Sequence, residues 1–212
     1  MKKITIYLVL SLFTIETYGF DLKINKTIRI RDGVSKSGSC TSVNGSIIIG
    51  ENCTIHGSCR TVNGSIQVGE HSKINKCETV NGSIRLGEKT IIQRDLKSVN
   101  GSIACRRDVL IRGAVETVNG SIGLDNTEVL RSVSTYNGNI NLDDHSIVRG
   151  DIIIKNNRGK SHRKQPLRIS LRHGSVVEGD IFVKDRDIEV VVILDKSSRI
   201  VGEIINAKII EE

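Results

Sequence analysis

The sequence predicts an all-β fold: a single-stranded parallel β-helix (solenoid) of triangular cross-section, with 18–19 residues per coil and a right-handed coil favoured. One observation is the segment Val-Asn-Gly-Ser-Ile, which recurs along the chain at nearly constant spacing. The other is composition, since the 212 residues include three Phe, three Tyr, no Trp and twenty Gly. A narrow tube of stacked aliphatic side chains has little room for large rings, whereas a compact globular core usually contains several.

The repeat is marked by an asparagine that recurs after 19, 18, 19, 19 and 18 residues. These residues are Asn44, Asn63, Asn81, Asn100, Asn119 and Asn137. Asn25 lies nineteen residues earlier, in a degenerate opening copy. Internal repeats of this length indicate a stacked architecture, because a single copy cannot bury its own apolar face. The Asn-Gly pair predicts a corner, since both residues tolerate positive φ, and stacked asparagines are expected to hydrogen-bond along the column.

Aligned copies give columns of aliphatic residues separated by polar ones, the period-2 pattern of half-buried strands. The position directly before each Asn holds Val43, Val62, Val80, Val99, Val118 and Tyr136. The position three residues after the Asn holds Ile47, Ile66, Ile84, Ile103, Ile122 and Ile140, and the position five after it holds Ile49, Val68, Leu86, Cys105, Leu124 and Leu142. The position eleven residues after the Asn holds Ile55, Ile74, Ile92, Ile111, Leu130 and Val148. A surface column alternates in sign through Arg60, Glu78, Lys97 and Glu116. Neighbours on adjacent coils should therefore attract each other.

Residues 1–19 have the order of a secretory signal peptide: Lys2 and Lys3, an apolar run from Ile4 to Ile15, and a small residue, Gly19, at the end. We therefore expect a periplasmic, secreted or cell-surface protein. No later apolar stretch approaches membrane-spanning length, so no transmembrane segment is expected after signal cleavage. The predicted organisation is a signal peptide (1–19), regular β-helix coils (20–150) and variant coils (151–212).

The variant region contains a basic insertion at about 155–172 in which no acidic residue occurs. Its basic residues are Lys155, Arg158, Lys160, Arg163, Lys164, Arg168 and Arg172. These are candidate anion-binding residues, and they account for about the whole positive excess of a chain whose formal net charge is +7. Such a cluster favours polyanions, here acidic glycans or lipopolysaccharide. Nucleic acid is not expected, because the chain is predicted to be exported and no aromatic residues that could stack on nucleobases lie among these basic residues.

Three of the five cysteines fall four residues before the Asn of consecutive coils. This column continues through aliphatic residues, as Cys40, Cys59, Cys77, Leu96, Val115 and Val133. One strand spacing lies within disulfide range, so this is a candidate disulfide column. Cysteine also serves as a small buried hydrophobe, and we favour that interpretation. The spacing lacks the CxxC pairs of zinc sites, and no metal or cofactor is expected.

No catalytic constellation stands out, and we do not expect an enzyme. Polysaccharide-active enzymes need paired carboxylates or a base with a positioned partner. The nearest candidates are Asp125, Asp143, Asp144 and Asp151, which have no consistent partner in the sequence. Ice binding would need exposed, regular hydroxyl ranks, and the sequence offers a single one, beside charges. That rank is Ser42, Thr61, Thr79, Ser98, Thr117 and Thr135.

Two segments of the C-terminal third, His145-Ser-Ile-Val-Arg-Gly-Asp-Ile and Ser175-Val-Val-Glu-Gly-Asp-Ile, resemble bactofilins. Bactofilins are polymer-forming bacterial proteins with a right-handed triangular β-helix, but they are typically cytosolic. The Thr-Val-Asn-Gly-Ser-Ile copies resemble an exported bacterial adhesin-like β-strand-repeat family even more. The spacing of Val43, Ile49 and Ile55 is also similar to the hexapeptide repeats of left-handed acyltransferase helices. Those repeats keep a strict period of six, which this chain does not.

The leading functional hypothesis is a non-enzymatic, exported structural or adhesin-like solenoid with a repetitive surface for assembly or binding at the cell envelope. End-to-end self-assembly is part of it, because the end of a solenoid exposes unpaired strand edges. The alternative is a binding module for anionic envelope glycans or lipopolysaccharide through residues 155–172. A polysaccharide-active enzyme is a third, less favoured class.

Overall fold

A computed structural model describes residues 21–156 and 165–212, and the statements below refer to these residues. They form short β-strands and no α-helix. The strands pair in parallel and build a β-solenoid of about nine turns with three strands per full coil. The predicted all-β parallel solenoid is therefore confirmed. Arg158, Lys160, Arg163 and Lys164, together with the predicted signal peptide, lie outside the described residues.

Face 1 follows the Asn-Gly corner and is a continuous ten-stranded sheet. Its strands are Ile28–Ile30, Ile47–Ile49, Ile66–Val68, Ile84–Leu86, Ile103–Cys105, Ile122–Asp125, Ile140–Asp143, Leu167–Leu171, Val190–Leu194 and Lys208–Glu211. Each pairs in register with the strand of the preceding coil, as in Ile66 with Ile84 and Ile84 with Ile103. The columns that the repeat predicted are therefore real neighbours in space.

Faces 2 and 3 form one sheet, because two long strands, Thr54–Thr61 and Lys73–Thr79, run from one face into the other. The remaining strands of face 2 are Ser35–Lys36, Ile91–Ile92, Val109–Ile111, Thr127–Val129, Ile147–Val148, Val176–Val177 and Arg199–Ile200. Those of face 3, which precedes the Asn-Gly corner, are Asp21–Lys23, Cys40–Ser42, Leu96–Ser98, Val115–Glu116, Val133–Thr135, Ile152–Ile154, Ile181–Val183 and Ile204–Ile205.

The core is a single aliphatic column system inside the tube, with most members less than 2 % exposed. One residue of the predicted aliphatic columns, Leu130, does not face the core. Val129, not Leu130, pairs with Ile111 and with Val148, and Leu130 is 41 % exposed. The reason is that this coil has one residue fewer at the corner between faces 1 and 2. Counting a fixed eleven residues from the Asn therefore overshoots by one position.

The valine column before each Asn does not join this core. Val80 and Val99 are buried and pack with Val62 and Val118 in a separate cluster. Along face 3 the side chains alternate, so a valine two residues after an outward charged residue also points outward. This exterior column, the valine ridge, lies between the charged column and the asparagine corner.

The corner between faces 3 and 1 changes length near the C-terminal end. Four residues separate Val133–Thr135 from Ile140–Asp143, but twelve separate Ile152–Ile154 from Leu167–Leu171. Six separate Ile181–Val183 from Val190–Leu194. The basic insertion therefore replaces an Asn-Gly corner and leaves the strand pairing of the tube intact.

Candidate functional site

The asparagines form a ladder of side-chain hydrogen bonds along the outside of the tube, as predicted. Each Nδ2 donates to the Oδ1 of the asparagine on the preceding coil at 2.6–2.9 Å. The ladder begins at Asn25 and extends to Asn137. In the next coil the longer corner interrupts it, where Asn139 Oδ1 accepts a hydrogen bond from the backbone N–H of Arg168 at 3.1 Å.

The sequence-based explanation of the Asn-Gly corner is wrong, because neither residue of the six Asn-Gly pairs adopts positive φ. Asn25, in the opening copy, does have positive φ (57°), but Lys26 follows it in place of glycine. Positive φ occurs instead at the corner between faces 1 and 2, at Asn52 (55°), His71 (55°), Lys89 (53°) and Asp108 (58°). Glycine is required after the asparagine because of close packing between coils. A Cβ on Gly101 would lie 1.9 Å from the carbonyl oxygen of Gly82 on the preceding coil.

Two of the three neighbouring pairs predicted to attract each other in the charged column on face 3 form ion pairs. Arg60 Nε lies 2.9 Å from Glu78 Oε2, and Lys97 Nζ lies 3.7 Å from Glu116 Oε2. Glu78 is only 8 % exposed and also contacts Lys76 Nζ at 2.7 Å. Attraction between successive coils thus accompanies the backbone ladder on this face.

The hydroxyl column points into the tube, so it cannot form an ice-binding surface. Thr61, Thr79, Ser98 and Thr117 are at most 1 % exposed. Each hydroxyl donates to the carbonyl oxygen of a corner glycine in the preceding coil, as in Thr117 Oγ1 to Gly101 O at 3.0 Å. These hydrogen bonds satisfy corner carbonyls that the strand ladders do not reach.

The cysteine column is buried as predicted, with Cys40 paired to Cys59 and Cys59 to Cys77 across adjacent strands. All five cysteines are free thiols in this structure. For Cys59, contact with Cys40 lowers the pKa, but contact with Cys77 and burial raise the pKa well above its ordinary value. Burial alone raises the pKa of Cys105 to about 12. Such thiols are protonated and poorly nucleophilic.

The described members of the basic insertion do not form one cluster. Lys155 ends face 3 and Arg168 begins face 1, so these two flank the same corner. Arg172 lies at the opposite end of strand Leu167–Leu171, where its Nη2 is 3.5 Å from Glu212. Lys155 Nζ contacts the carboxylate of Glu116. The other four basic residues, Arg158, Lys160, Arg163 and Lys164, lie outside the described residues.

The candidate catalytic carboxylates have separate partners. Asp151 Oδ1 accepts a backbone hydrogen bond from Asp180 at 3.0 Å, which is a structural contact between coils. Asp144 contacts Arg107 and His145. Asp125 is in register with Asp143. The geometry brings these four residues to two different corners, and they do not surround a common cleft.

Asp143 instead forms an exposed ion pair with His173 on the next coil. The hydrogen bond with His173 lowers the pKa of Asp143, and the same contact raises the pKa of His173. The backbone N–H of His173 also donates to Asp195 Oδ2 at 2.6 Å. Burial would raise the pKa of Asp195, but hydrogen bonds from Ser198, Ser197 and the His173 backbone outweigh it and lower the pKa.

Sequence reasoning missed one surface, the outer side of face 3 in the last coils. Tyr136 and Phe182 are the two aromatic residues of the described chain, and both lie there. Lys155 Nζ is 5.6 Å from the centroid of the Tyr136 ring, and Lys184 Nζ is 5.6 Å from that of Phe182. The scarcity of aromatic residues was the available signal, but their common face depends on the register after the insertion.

Among the described residues, no group of three or more His, Cys, Asp or Glu side chains is arranged to hold a metal ion. That part of the chain also contains no helix of the length and apolarity needed to cross a bilayer. Comparisons with protein-family models, with curated proteins and with solved structures gave no match to this chain.

Proposed function

We propose that this chain is a non-enzymatic, exported structural or adhesin-like solenoid that offers a repetitive surface for assembly or binding at the cell envelope. The observation that carries the proposal is the stacking of equivalent exterior groups on the regular coils, from Asn25 to Asn137. The asparagine ladder and the adjoining valine ridge continue in register across successive coils. A surface of this kind suits a repeated contact better than a single enclosed reaction site. The resemblance to exported adhesin-like repeat proteins and to bactofilins supports the same class.

Assembly would involve a second copy at the end of the tube. Ile209 continues the column of Ile140, Ile169 and Val192, which are fully buried, yet Ile209 is 48 % exposed. Its neighbour Ile210 is 50 % exposed. Parallel strand pairing by another coil would cover both the apolar side chains and the backbone edge.

Charge complementarity favours contact between opposite ends of two copies. The first described coil carries Arg29, Arg31 and Lys36, with one carboxylate, Asp32, around a surface depression of about 480 Å³ that Ile30 also lines. The last described coil carries Glu203, Glu211 and Glu212, although Arg199 and Lys208 offset part of this charge. Head-to-tail stacking places unlike charges together and continues the same β-ladder.

Negative-stain microscopy and light scattering of the mature protein test this proposal. We expect end-to-end oligomers or fibres whose length falls when Ile209→Glu or Ile210→Glu, each as a single variant, places a carboxylate at the end. The control is Leu130→Glu, which adds the same charge on the side of the tube, where Leu130 is 41 % exposed. Dispersed monomers of the unmodified protein at high concentration would remove assembly from the proposal.

A second candidate function is binding of anionic envelope glycans or lipopolysaccharide through residues 155–172. The observation in its favour is that the insertion replaces one corner, flanked by Lys155 and Arg168, while the tube continues beneath it. A basic segment held at a fixed point on a rigid support concentrates positive charge locally.

The triple variant Arg163→Ser, Lys164→Ser and Arg168→Ser tests this second function. Retention on immobilised lipopolysaccharide should fall, and the remaining retention should depend less on salt. A matched control replaces Arg85, Arg112 and Arg131, which are exposed on the regular coils, with Ser. Equal retention of the triple variant and the unmodified protein would exclude the basic insertion as the binding element.

A further inference from the structure

Two exterior columns of face 3 exchange their chemical character in the C-terminal coils. The charged column Arg60, Glu78, Lys97 and Glu116 continues in register as Ser134, Ile153, Phe182 and Ile205. The valine ridge Val62, Val80, Val99 and Val118 continues as Tyr136, Lys155 and Lys184. In the regular coils, the outer side of face 3 therefore has a charged column beside an aliphatic column. In the C-terminal coils it has an apolar column, which includes Phe182, beside a column of Tyr136 and two lysines.

The exchange places a flat apolar strip on the outside of the tube. Ile153 and Phe182 are paired on neighbouring strands, and Ile205 follows on the next. Each is half-buried, so part of each side chain remains open to solvent. Tyr136 lies beside this strip one coil earlier. Apolar residues on the outside of an otherwise charged face are unusual enough to suggest a contact surface.

Lysine side chains cover both rings. The ammonium groups of Lys155 and Lys184 each lie 5.6 Å from the ring centroid of Tyr136 and Phe182, respectively, within cation–π range. Lys155 also contacts Glu116, which pairs with Lys97 at 3.7 Å. Lys184 is exposed. An anionic group arriving at this face can draw the ammonium groups off the rings and leave the ring faces open.

Three carboxylates of these coils are held by backbone hydrogen bonds, whereas Glu116 contacts Lys155 and Glu203 is exposed. Asp151 and Asp180 accept hydrogen bonds from backbone N–H groups of the following coil. Asp185 is only 2 % exposed and accepts a hydrogen bond from the Asp187 backbone.

We propose that the outer side of face 3, at Tyr136, Ile153, Phe182, Lys155 and Lys184, is the contact surface for the sugar rings of an anionic glycan chain. The C–H faces of sugar rings pack on aromatic and aliphatic side chains, while the acidic groups of the glycan pair with Lys155 and Lys184. This inference rests on the second candidate function and adds to it a specific surface that recognises sugar as well as charge.

Binding of soluble polygalacturonate, with neutral dextran as the uncharged comparison, tests the inference by calorimetry. Phe182→Thr keeps the charge and a strand-forming residue, and it should weaken polygalacturonate binding about threefold to tenfold through the lost ring contact. Lys184→Gln should weaken binding and reduce its dependence on salt. Ile147→Thr, an outward substitution on face 2, is the matched control and should leave affinity unchanged.

The outcomes separate this surface from the insertion. If the triple variant Arg163→Ser, Lys164→Ser and Arg168→Ser loses polygalacturonate binding while Phe182→Thr and Lys184→Gln retain it, the inference is wrong and the second candidate function stands. If the unmodified protein binds neither polygalacturonate nor lipopolysaccharide, both are wrong. Unchanged circular dichroism and melting temperature confirm that each variant is folded.

Discussion

Asn81 Nδ2 lies 2.7 Å from Asn63 Oδ1, and Asn81 Oδ1 in turn accepts a hydrogen bond from Asn100 at 2.8 Å. Each inner asparagine of the ladder therefore links the coil before it to the coil after it. These bonds lie outside the tube and run along its axis, beside the valine ridge. Because the amides are exposed, they contribute less than buried hydrogen bonds, but they repeat on every regular coil.

Asn81→Ala removes both of these side-chain hydrogen bonds. We expect the free energy of unfolding to fall by about 1 kcal/mol, because each of the two exposed hydrogen bonds should contribute near the lower end of the usual range for a hydrogen bond. Urea unfolding followed by circular dichroism measures the change. Gln67→Ala, an exposed substitution on the outer side of face 1, is the control and should shift the unfolding midpoint less. Equal midpoints for the two variants would mean that the ladder adds no stability.

Alanine substitutions at two glycines should show whether close packing between coils requires glycine at the Asn-Gly corner. A Cβ at Gly101 would lie 1.9 Å from Gly82 O, whereas no atom lies within 4 Å of one at Gly123. Neither residue has positive φ. Gly101→Ala must push two coils apart, and we expect a loss of at least about 3 kcal/mol, similar to severe overpacking. Gly123→Ala should be neutral or slightly stabilising, since it reduces the freedom of the unfolded chain.

Thermal unfolding of the two glycine variants gives the comparison. The expected result is a large fall in melting temperature, or failure to accumulate as soluble protein, for Gly101→Ala alone. A tolerated Gly101→Ala would contradict the coil spacing at the Asn-Gly corner.

The His173–Asp143 pair should make stability depend on pH. Contact with Asp143 raises the pKa of His173, so the stabilisation is complete below about pH 6.5 and is lost as the pH rises through the folded-state value. Contact with His173 lowers the pKa of Asp143, so the stabilisation is present above about pH 4 and is lost as the pH falls through the folded-state value. The pair is therefore intact between these limits.

Asp143→Asn should lower the melting temperature at pH 5 and have little effect at pH 9. The control is Asp125→Asn, because Asp125 is in register with Asp143 on the preceding coil. A similar loss for Asp143→Asn at both pH values would show that the carboxylate acts through another contact.

The buried thiols should be unreactive in the folded protein. Burial raises the pKa of Cys105 to about 12, and the other four cysteines are fully buried. We expect a thiol reagent such as dithionitrobenzoate to modify fewer than one cysteine per chain at pH 8, and all free thiols after denaturation. A denatured chain with two fewer reactive thiols than the five cysteines would indicate a disulfide in the Cys40, Cys59 and Cys77 column.

The sequence predicted the fold because the repeat reports on stacking directly. Equal spacing of Ile66, Ile84 and Ile103 leaves parallel in-register pairing as the arrangement that buries all three. It could not show which side of face 3 the valines occupy. Side chains alternate between the inner and outer sides of a strand, but this alternation identifies the inner residues only once the position of the strand boundary is known. Leu130 was misplaced for a similar reason, since a corner one residue shorter moves the inward position to Val129.

The candidate site was predicted less completely. Charge alone identified residues 155–172, but sequence spacing could not show that Arg172 lies at the far end of a strand from Arg168. The juxtaposition of Ile153 with Phe182 depends on a pairing that crosses the insertion. A fixed repeat length cannot give that pairing, because the intervening corner has no counterpart in earlier coils.

The most direct test of the stacked-coil structure is the distance between spin labels on the exposed column of face 1. Arg29, Ala104 and Ser170 belong to this column, four and seven strands apart. With a strand spacing of about 4.8 Å, labels at residues 29 and 104 should be about 19 Å apart, and labels at 29 and 170 about 34 Å apart. The labels are attached to the double variants Arg29→Cys with Ala104→Cys and Arg29→Cys with Ser170→Cys, and two labels per chain confirm that the buried native cysteines are not modified. Double electron–electron resonance then measures both distances. Distances that do not increase in proportion to the number of coils would contradict the parallel solenoid.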